Sequence, residues 1–67
     1  MGDKYAIIKG KALTMVREFQ KVYPKGNPIL RIENEVWYAA NYEFPDTKDI
    51  DTNKLHRIIS EIKEAIR

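Results

Sequence analysis

Residues 29–44 read ILRIENEVWYAANYEF, and this stretch decides the fold class of the 67-residue chain. It is rich in β-branched and aromatic residues, which are typical of β-strands. A three-residue turn centred on Asn34 divides it, and asparagine tolerates the left-handed backbone of a tight turn. We therefore predict a β-hairpin with strands over 29–33 and 36–44.

The register of this hairpin decides which side chains share a face of the sheet. A three-residue loop separates an apolar face, covered by the helices, from a mostly polar face that carries Trp37. The apolar face comprises Leu30, Ile32, Val36, Tyr38, Ala40 and Tyr42. A two-residue loop instead pairs Ile32 with Trp37, mixes polar and apolar groups on both faces, and makes Trp37 a core residue. Because a slip of one residue moves every side chain to the opposite face, the cleaner separation favours the three-residue loop.

Two other stretches have the period of amphipathic helices. Over residues 11–23, apolar side chains recur on one arc, and Pro24 ends the helix because a residue before proline is driven out of the helical region. Over residues 52–66, the charged side chains lie opposite a narrow apolar arc, and Asp51 or Thr52 is the predicted N-cap. The apolar arc of the second helix comprises Leu55, Ile58, Ile59, Ile62, Ala65 and Ile66.

A short apolar stretch over residues 5–9, followed by Gly10, completes the pattern as a third strand. The predicted order is then β-α-β-β-α in a single domain, residues 1–67. Two half-apolar helices packed on one face of a three-stranded sheet form a two-layer α+β sandwich. A chain of this size buries only ~60% of its unfolded surface, so self-association would add stability.

Composition excludes several classes of protein. The chain has no cysteine, which rules out disulfides and thiolate zinc sites, and His56 is its single histidine. The longest uninterrupted apolar run, residues 36–40, is far shorter than a membrane-spanning helix, and no signal-peptide pattern occurs. We therefore expect a cytoplasmic protein that binds no membrane, no metal and no other cofactor.

Catalytic chemistry finds little support in the sequence. His56 and Ser60 lie one turn apart on the last predicted helix, but on its polar face, where no pocket excludes water. The spacing of Asp46, Asp49 and Asp51 is similar to that of a calcium loop, yet the required glycine and closing glutamate are missing. Carboxylates ahead of a helix N-terminus are explained by the helix dipole. We expect a protein that is not an enzyme and has no small-molecule substrate.

Binding of a protein partner is the function that the pattern favours. In the predicted sheet, the face away from the helices carries Trp37, Ile29 and Ala39 inside a polar rim that includes Arg31 and Asn41. An apolar patch with a polar rim is typical of a protein–protein interface. We predict a small adaptor, inhibitor or regulator whose partner-binding residues are Trp37, Arg31, Asn41 and Ile29.

The charge distribution supports a second hypothesis, in which the chain binds nucleic acid. The N-terminal half of the chain is basic, and the middle is acidic. Arg17, Lys21 and Lys25 follow one flank of the first predicted helix, and Arg31 adjoins Trp37 on the predicted sheet. Cations interleaved with an aromatic ring are typical of proteins that bind single strands. Acidic residues on the same hairpin repel phosphate, so binding of a protein remains the preferred prediction.

Overall fold

The computed structural model describes residues 3–45 and 50–66, and all regular secondary structure in these ranges is α-helical. Helix α1 spans Lys4–Val22, α2 spans Ile29–Glu43 and α3 spans Thr52–Ala65. About 80% of the described residues are helical, and none of them lies in a strand. The predicted α+β sandwich, with its β-α-β-β-α order and three-stranded sheet, is therefore wrong.

The three helices form an up-down-up bundle. Lys11, near the start of α1, forms an ion pair with Glu43 at the end of α2, so these two helices are antiparallel. Helix α3 begins beside the start of α1, where the backbone N–H of Asp51 donates to the Tyr5 hydroxyl at 3.0 Å. Farther along both helices, Lys9 pairs with Glu61 at 3.3 Å, so α3 runs in the same direction as α1.

The core lies between all three helices, and each helix contributes apolar side chains three or four residues apart. Burial of a large aliphatic side chain contributes ~1.5–3 kcal/mol, so this shared core is the main source of stability. The buried hydrophobic residues are Ile8, Ala12 and Val16 from α1, Ile32, Val36, Ala39 and Ala40 from α2, and Leu55, Ile58, Ile59 and Ile62 from α3.

The two predicted strands of the hairpin are in fact one helix, α2. Its buried residues follow the helical period, and Arg31 pairs with Glu35 one turn later at 3.0 Å. Asn34 accordingly lies within the helix and not in a turn. The asparagine that does shape a turn is Asn27, whose side-chain oxygen accepts from the backbone N–H of Ile29 at 3.0 Å.

The predicted strand over residues 5–9 is the beginning of α1. Asp3 caps this helix, because its carboxylate accepts from the backbone N–H of Tyr5 at 2.9 Å. Gly10 therefore lies inside a helix, where glycine costs about 1 kcal/mol relative to alanine. Full burial of Ile8 against the other two helices outweighs that cost.

The two predicted helices agree with the structure in type and approximate position. The stretch 52–66 corresponds to α3, and Asp51 is its N-cap, because its carboxylate accepts from the backbone N–H of Asn53 at 2.9 Å. The stretch 11–23 corresponds to the later part of α1, which ends at Val22.

Candidate functional site

Helix α3 packs on one side of the α1–α2 hairpin and leaves a groove on the other. The side chains of Tyr5 and Lys9 on α1 and of Trp37 on α2 face α3. The opposite side carries a depression of about 340 Å³, and no described residue of α3 lines it. We call this depression the α1–α2 groove; it is lined by Gly10, Lys11, Thr14, Met15, Glu35, Tyr38, Ala39 and Tyr42.

Two tyrosines form the α2 wall of the groove. Tyr38 and Tyr42 are one turn apart, and their rings stack with centroids 5.9 Å apart and planes inclined by 11°. They are 63% and 68% exposed, because the core-facing positions of α2 are taken by smaller residues such as Ala39. Large exposed aromatic side chains that lie together are typical of contact surfaces.

Each charged side chain that lines the groove pairs with an oppositely charged residue of the same chain. Glu35 is the one buried charged residue in the described ranges, at 8% exposure, and its carboxylate accepts from Arg31. Lys11 lies 5.9 Å from the ring centre of Tyr42 and pairs with Glu43. The hydrogen bond to Glu43 and the attraction of its carboxylate raise the pKa of Lys11 above the ordinary lysine value.

Gly10 leaves open space in the α1 wall of the groove. A Cβ atom built at this position meets no atom within 4 Å, so the packing of this chain does not require a glycine there. The Gly10 carbonyl accepts from the Thr14 hydroxyl at 2.9 Å, which keeps the wall narrow and its polar atoms paired. A ligand can therefore approach the α1 backbone closely at this point.

Three cations lie beyond the groove on the same face of the hairpin, toward the α1–α2 turn, and we call them the cationic end. Arg17 and Lys21 extend the α1 stripe of Gly10 and Thr14, with spacings of three and four residues. Arg31 extends the α2 stripe, and its guanidinium lies 5.2 Å from the ring centre of Phe19 on the neighbouring helix. The face is thus aromatic at one end and positively charged at the other.

The predicted partner-binding residues do not form one patch. Ile29, Trp37 and Asn41 lie along a single ridge of α2, whereas Arg31 faces the groove side. Trp37 is half-buried against the core, and its ring meets His56 edge-on at a centroid distance of 6.5 Å. The interpretation of this surface as an open sheet face is wrong, and a binding role for the ridge stays a prediction.

The residues of the nucleic-acid hypothesis are brought together only in part. Arg17 and Lys21 are exposed one turn apart on α1, and Lys21 pairs weakly with Glu18 at 3.5 Å. Lys25 lies in the turn beyond the end of α1. Trp37 is on the side of α2 that faces α3, away from these cations.

The structure gives no assembled catalytic or metal-binding group within its described ranges. His56 and Ser60 are both exposed on α3 and make no hydrogen bond with each other. Asp51 acts as a helix cap, while Asp46 and Asp49 lie outside the described residues. In the same ranges, no three histidine or carboxylate side chains are positioned to share a metal ion.

Sequence reasoning missed the groove because it placed Tyr38 and Tyr42 on the covered face of a sheet. The signal that identifies them is helical: both lie well outside the arc of Ile32, Val36 and Ala39, which the core requires. Only the helical reading of this stretch separates the tyrosines from the core residues.

No family model, curated protein or solved structure matches this chain. In the part of the chain that the structure describes, no helix is both long enough and apolar enough to span a membrane. Fold and site together define a class only, a small three-helix bundle with an aromatic groove on the side of its hairpin opposite α3.

Proposed function

We propose that this chain is a small, non-enzymatic interaction module that binds a protein partner in the α1–α2 groove. The observation that carries the proposal is the stacked, exposed pair of Tyr38 and Tyr42 beside an apolar depression. Tyrosine is enriched at interfaces because it offers a large, rigid contact area for the loss of few rotamers. A cytoplasmic location is part of the same proposal, as is a secondary contact along the Ile29–Trp37–Asn41 ridge.

The two tyrosines offer enough area to act as binding hot spots. Each leaves about two-thirds of its surface in water, and a buried aromatic side chain covers about 150–250 Å². Truncation of a central aromatic residue at an interface typically costs about 2 kcal/mol or more, a loss of ~30-fold in affinity. Because both rings lie outside the core, Tyr38→Ala or Tyr42→Ala leaves the free energy of unfolding within about 1 kcal/mol of wild type.

The competing function is binding of single-stranded nucleic acid on the same face. Exposed tyrosine rings on the same face as Arg17 and Lys21 favour it, because bases stack on such rings and phosphates pair with such cations. Glu18, Glu35 and Glu43 oppose it: Glu35 and Glu43 each pair with a cation of this surface, and Glu18 adds a negative charge 3.5 Å from Lys21. Affinity for nucleic acid falls steeply with added salt, whereas affinity for an apolar protein surface changes little.

Site-specific photo-crosslinking in the cells that produce the protein tests this proposal. A benzophenone amino acid replaces Tyr42 in one variant and Ser60, an exposed residue of α3, in the matched control. The expected result is a discrete protein adduct from position 42 that position 60 does not give. Identical adducts from both positions, or an adduct at position 42 that nuclease removes, would contradict binding of a protein in the groove.

A further inference from the structure

We infer that the partner of the α1–α2 groove is an acidic amphipathic helix of a different protein, with small apolar residues facing Gly10 and carboxylates facing Arg17 and Lys21. This inference rests on the proposed function and specifies its ligand. It follows from the shape of the groove, from the charges left over at the cationic end, and from what a second copy of the chain would present.

The shape of the groove fits a helix. Its two walls are antiparallel helices, and the groove continues into an exposed stripe of α1, so that the face from Gly10 to Lys21 extends over about 16 Å, or three helical turns. An amphipathic helix laid in such a groove contacts both walls with residues spaced by three and four. The open space at Gly10 admits close approach at one end, and the stacked tyrosines form a raised edge beside it.

The positive charges of Arg17 and Lys21 at the cationic end favour a partner that supplies carboxylates. Arg17 makes no ion pair or hydrogen bond with any residue that the structure describes. Lys21 lies 3.5 Å from Glu18, and both side chains are exposed, so this ion pair is weak. The two other carboxylates of this face, on Glu35 and Glu43, are each bound to a cation of the same chain. The unmet charge is therefore positive, and acidic side chains of a partner complement it.

A second copy of the chain does not supply this complement. A two-fold dimer places the same face on both subunits. It would bring Arg17 and Lys21 against the cations of the other copy, which repel them, or against its tyrosines, which offer a cation–π contact but no carboxylate, while the carboxylates of Glu35 and Glu43 are already paired. The geometry thus favours a partner of different sequence over self-association through the groove.

Selection from a library of displayed helices tests the inference on the full chain. Each probe is an 18-residue peptide with a fixed stripe of alanine and leucine, and each flanking position is randomly glutamate or lysine. We expect enrichment of glutamate, and about tenfold tighter binding of the all-glutamate peptide than of the all-lysine peptide. The double variant Arg17→Glu, Lys21→Glu reverses this preference. The matched control Arg57→Glu, Lys63→Glu changes net charge equally on exposed positions of α3 and keeps the preference.

The outcomes separate this inference from the proposed function. If the selected peptides show no charge preference but Tyr42→Ala abolishes their binding, the inference of an acidic partner is wrong. The groove then remains the binding site. Peptide binding that Tyr42→Ala does not change overturns both. Sedimentation of the protein as a dimer that Tyr42→Ala dissociates identifies a second copy as the occupant and overturns the inference.

Discussion

Replacement of Gly10 by alanine is expected to stabilise the fold and to weaken binding in the groove. Position 10 lies in the interior of α1, where alanine is favoured over glycine by about 0.8–1.0 kcal/mol. The added methyl group meets no atom within 4 Å, so no packing penalty offsets this gain. Much of the gain arises in the unfolded chain, which loses conformational freedom when glycine is replaced.

Thermal unfolding followed by far-ultraviolet circular dichroism measures the first effect. For a domain of 60–100 residues, 1 kcal/mol corresponds to a rise of about 4–8 °C in the unfolding midpoint. The second effect is read from the affinity for the all-glutamate peptide. It falls several-fold, because the methyl group occupies the space into which the partner helix inserts.

Gly26→Ala is the matched control, since Gly26 lies in the α1–α2 turn. A Cβ atom there is 3.0 Å from the Phe19 ring and 3.2 Å from the Tyr23 Cβ, so crowding offsets the gain from replacing glycine and this variant melts below Gly10→Ala. A midpoint for Gly10→Ala at or below that of wild type would refute the reasoning. It would mean that residue 10 does not lie in the interior of a helix.

Three further variants test the core, a helix cap and an ion pair. Ile62→Ala removes a fully buried side chain and costs about 2–5 kcal/mol in urea unfolding, and a cost below 1 kcal/mol would contradict the placement of α3. Asp51→Ala removes the α3 N-cap and lowers stability by about 0.5–2 kcal/mol, whereas Asp51→Asn retains most of it. Lys11→Met tests the pair with Glu43: because folding raises the pKa of Lys11, the pair stabilises the fold below the ordinary value of 10.5, and this is lost as pH rises through the pKa of the folded protein. The difference in urea midpoint between wild type and this variant is therefore constant near neutral pH and shrinks above about pH 10.5, and a difference that grows there would contradict the pairing.

Helix α3 and the later part of α1 are predictable because pattern and propensity agree in them. In α3, every large apolar residue falls on one arc and the charges lie opposite, so only a helix buries the first group without the second. In residues 29–44, the two signals conflict. Branched and aromatic residues favour a strand, whereas the spacing of Ile32, Val36 and Ala39 favours a helix. Burial of that arc against α1 and α3 decides the outcome, because intrinsic propensity is a weak preference that packing overrides.

The candidate site was only partly predictable because residues 29–44 were assigned the two-residue repeat of a strand and not the repeat of a helix. A repeat of two residues puts Tyr38 and Tyr42 on the same face as Val36, whereas a helical repeat turns them toward solvent. Arg31, which the strand interpretation places beside Trp37, lies instead at the cationic end, on the same face as the groove. Its neighbour on that face is Glu35, one helical turn away.

The edge-on packing of Trp37 against His56 provides the molecule with a built-in optical reporter. The chain contains one tryptophan, and it lies where α2 meets α3, on the side away from the groove. Indole emission responds to a neighbouring imidazole and to entry of water, so its intensity changes when α3 leaves the hairpin. In stopped-flow refolding of the unlabelled protein, Trp37 fluorescence therefore measures the rate at which α3 packs on the hairpin, separately from the packing of α1 against α2. Fluorescence titrations with ligands for the groove report on α3 only if binding is transmitted through the core.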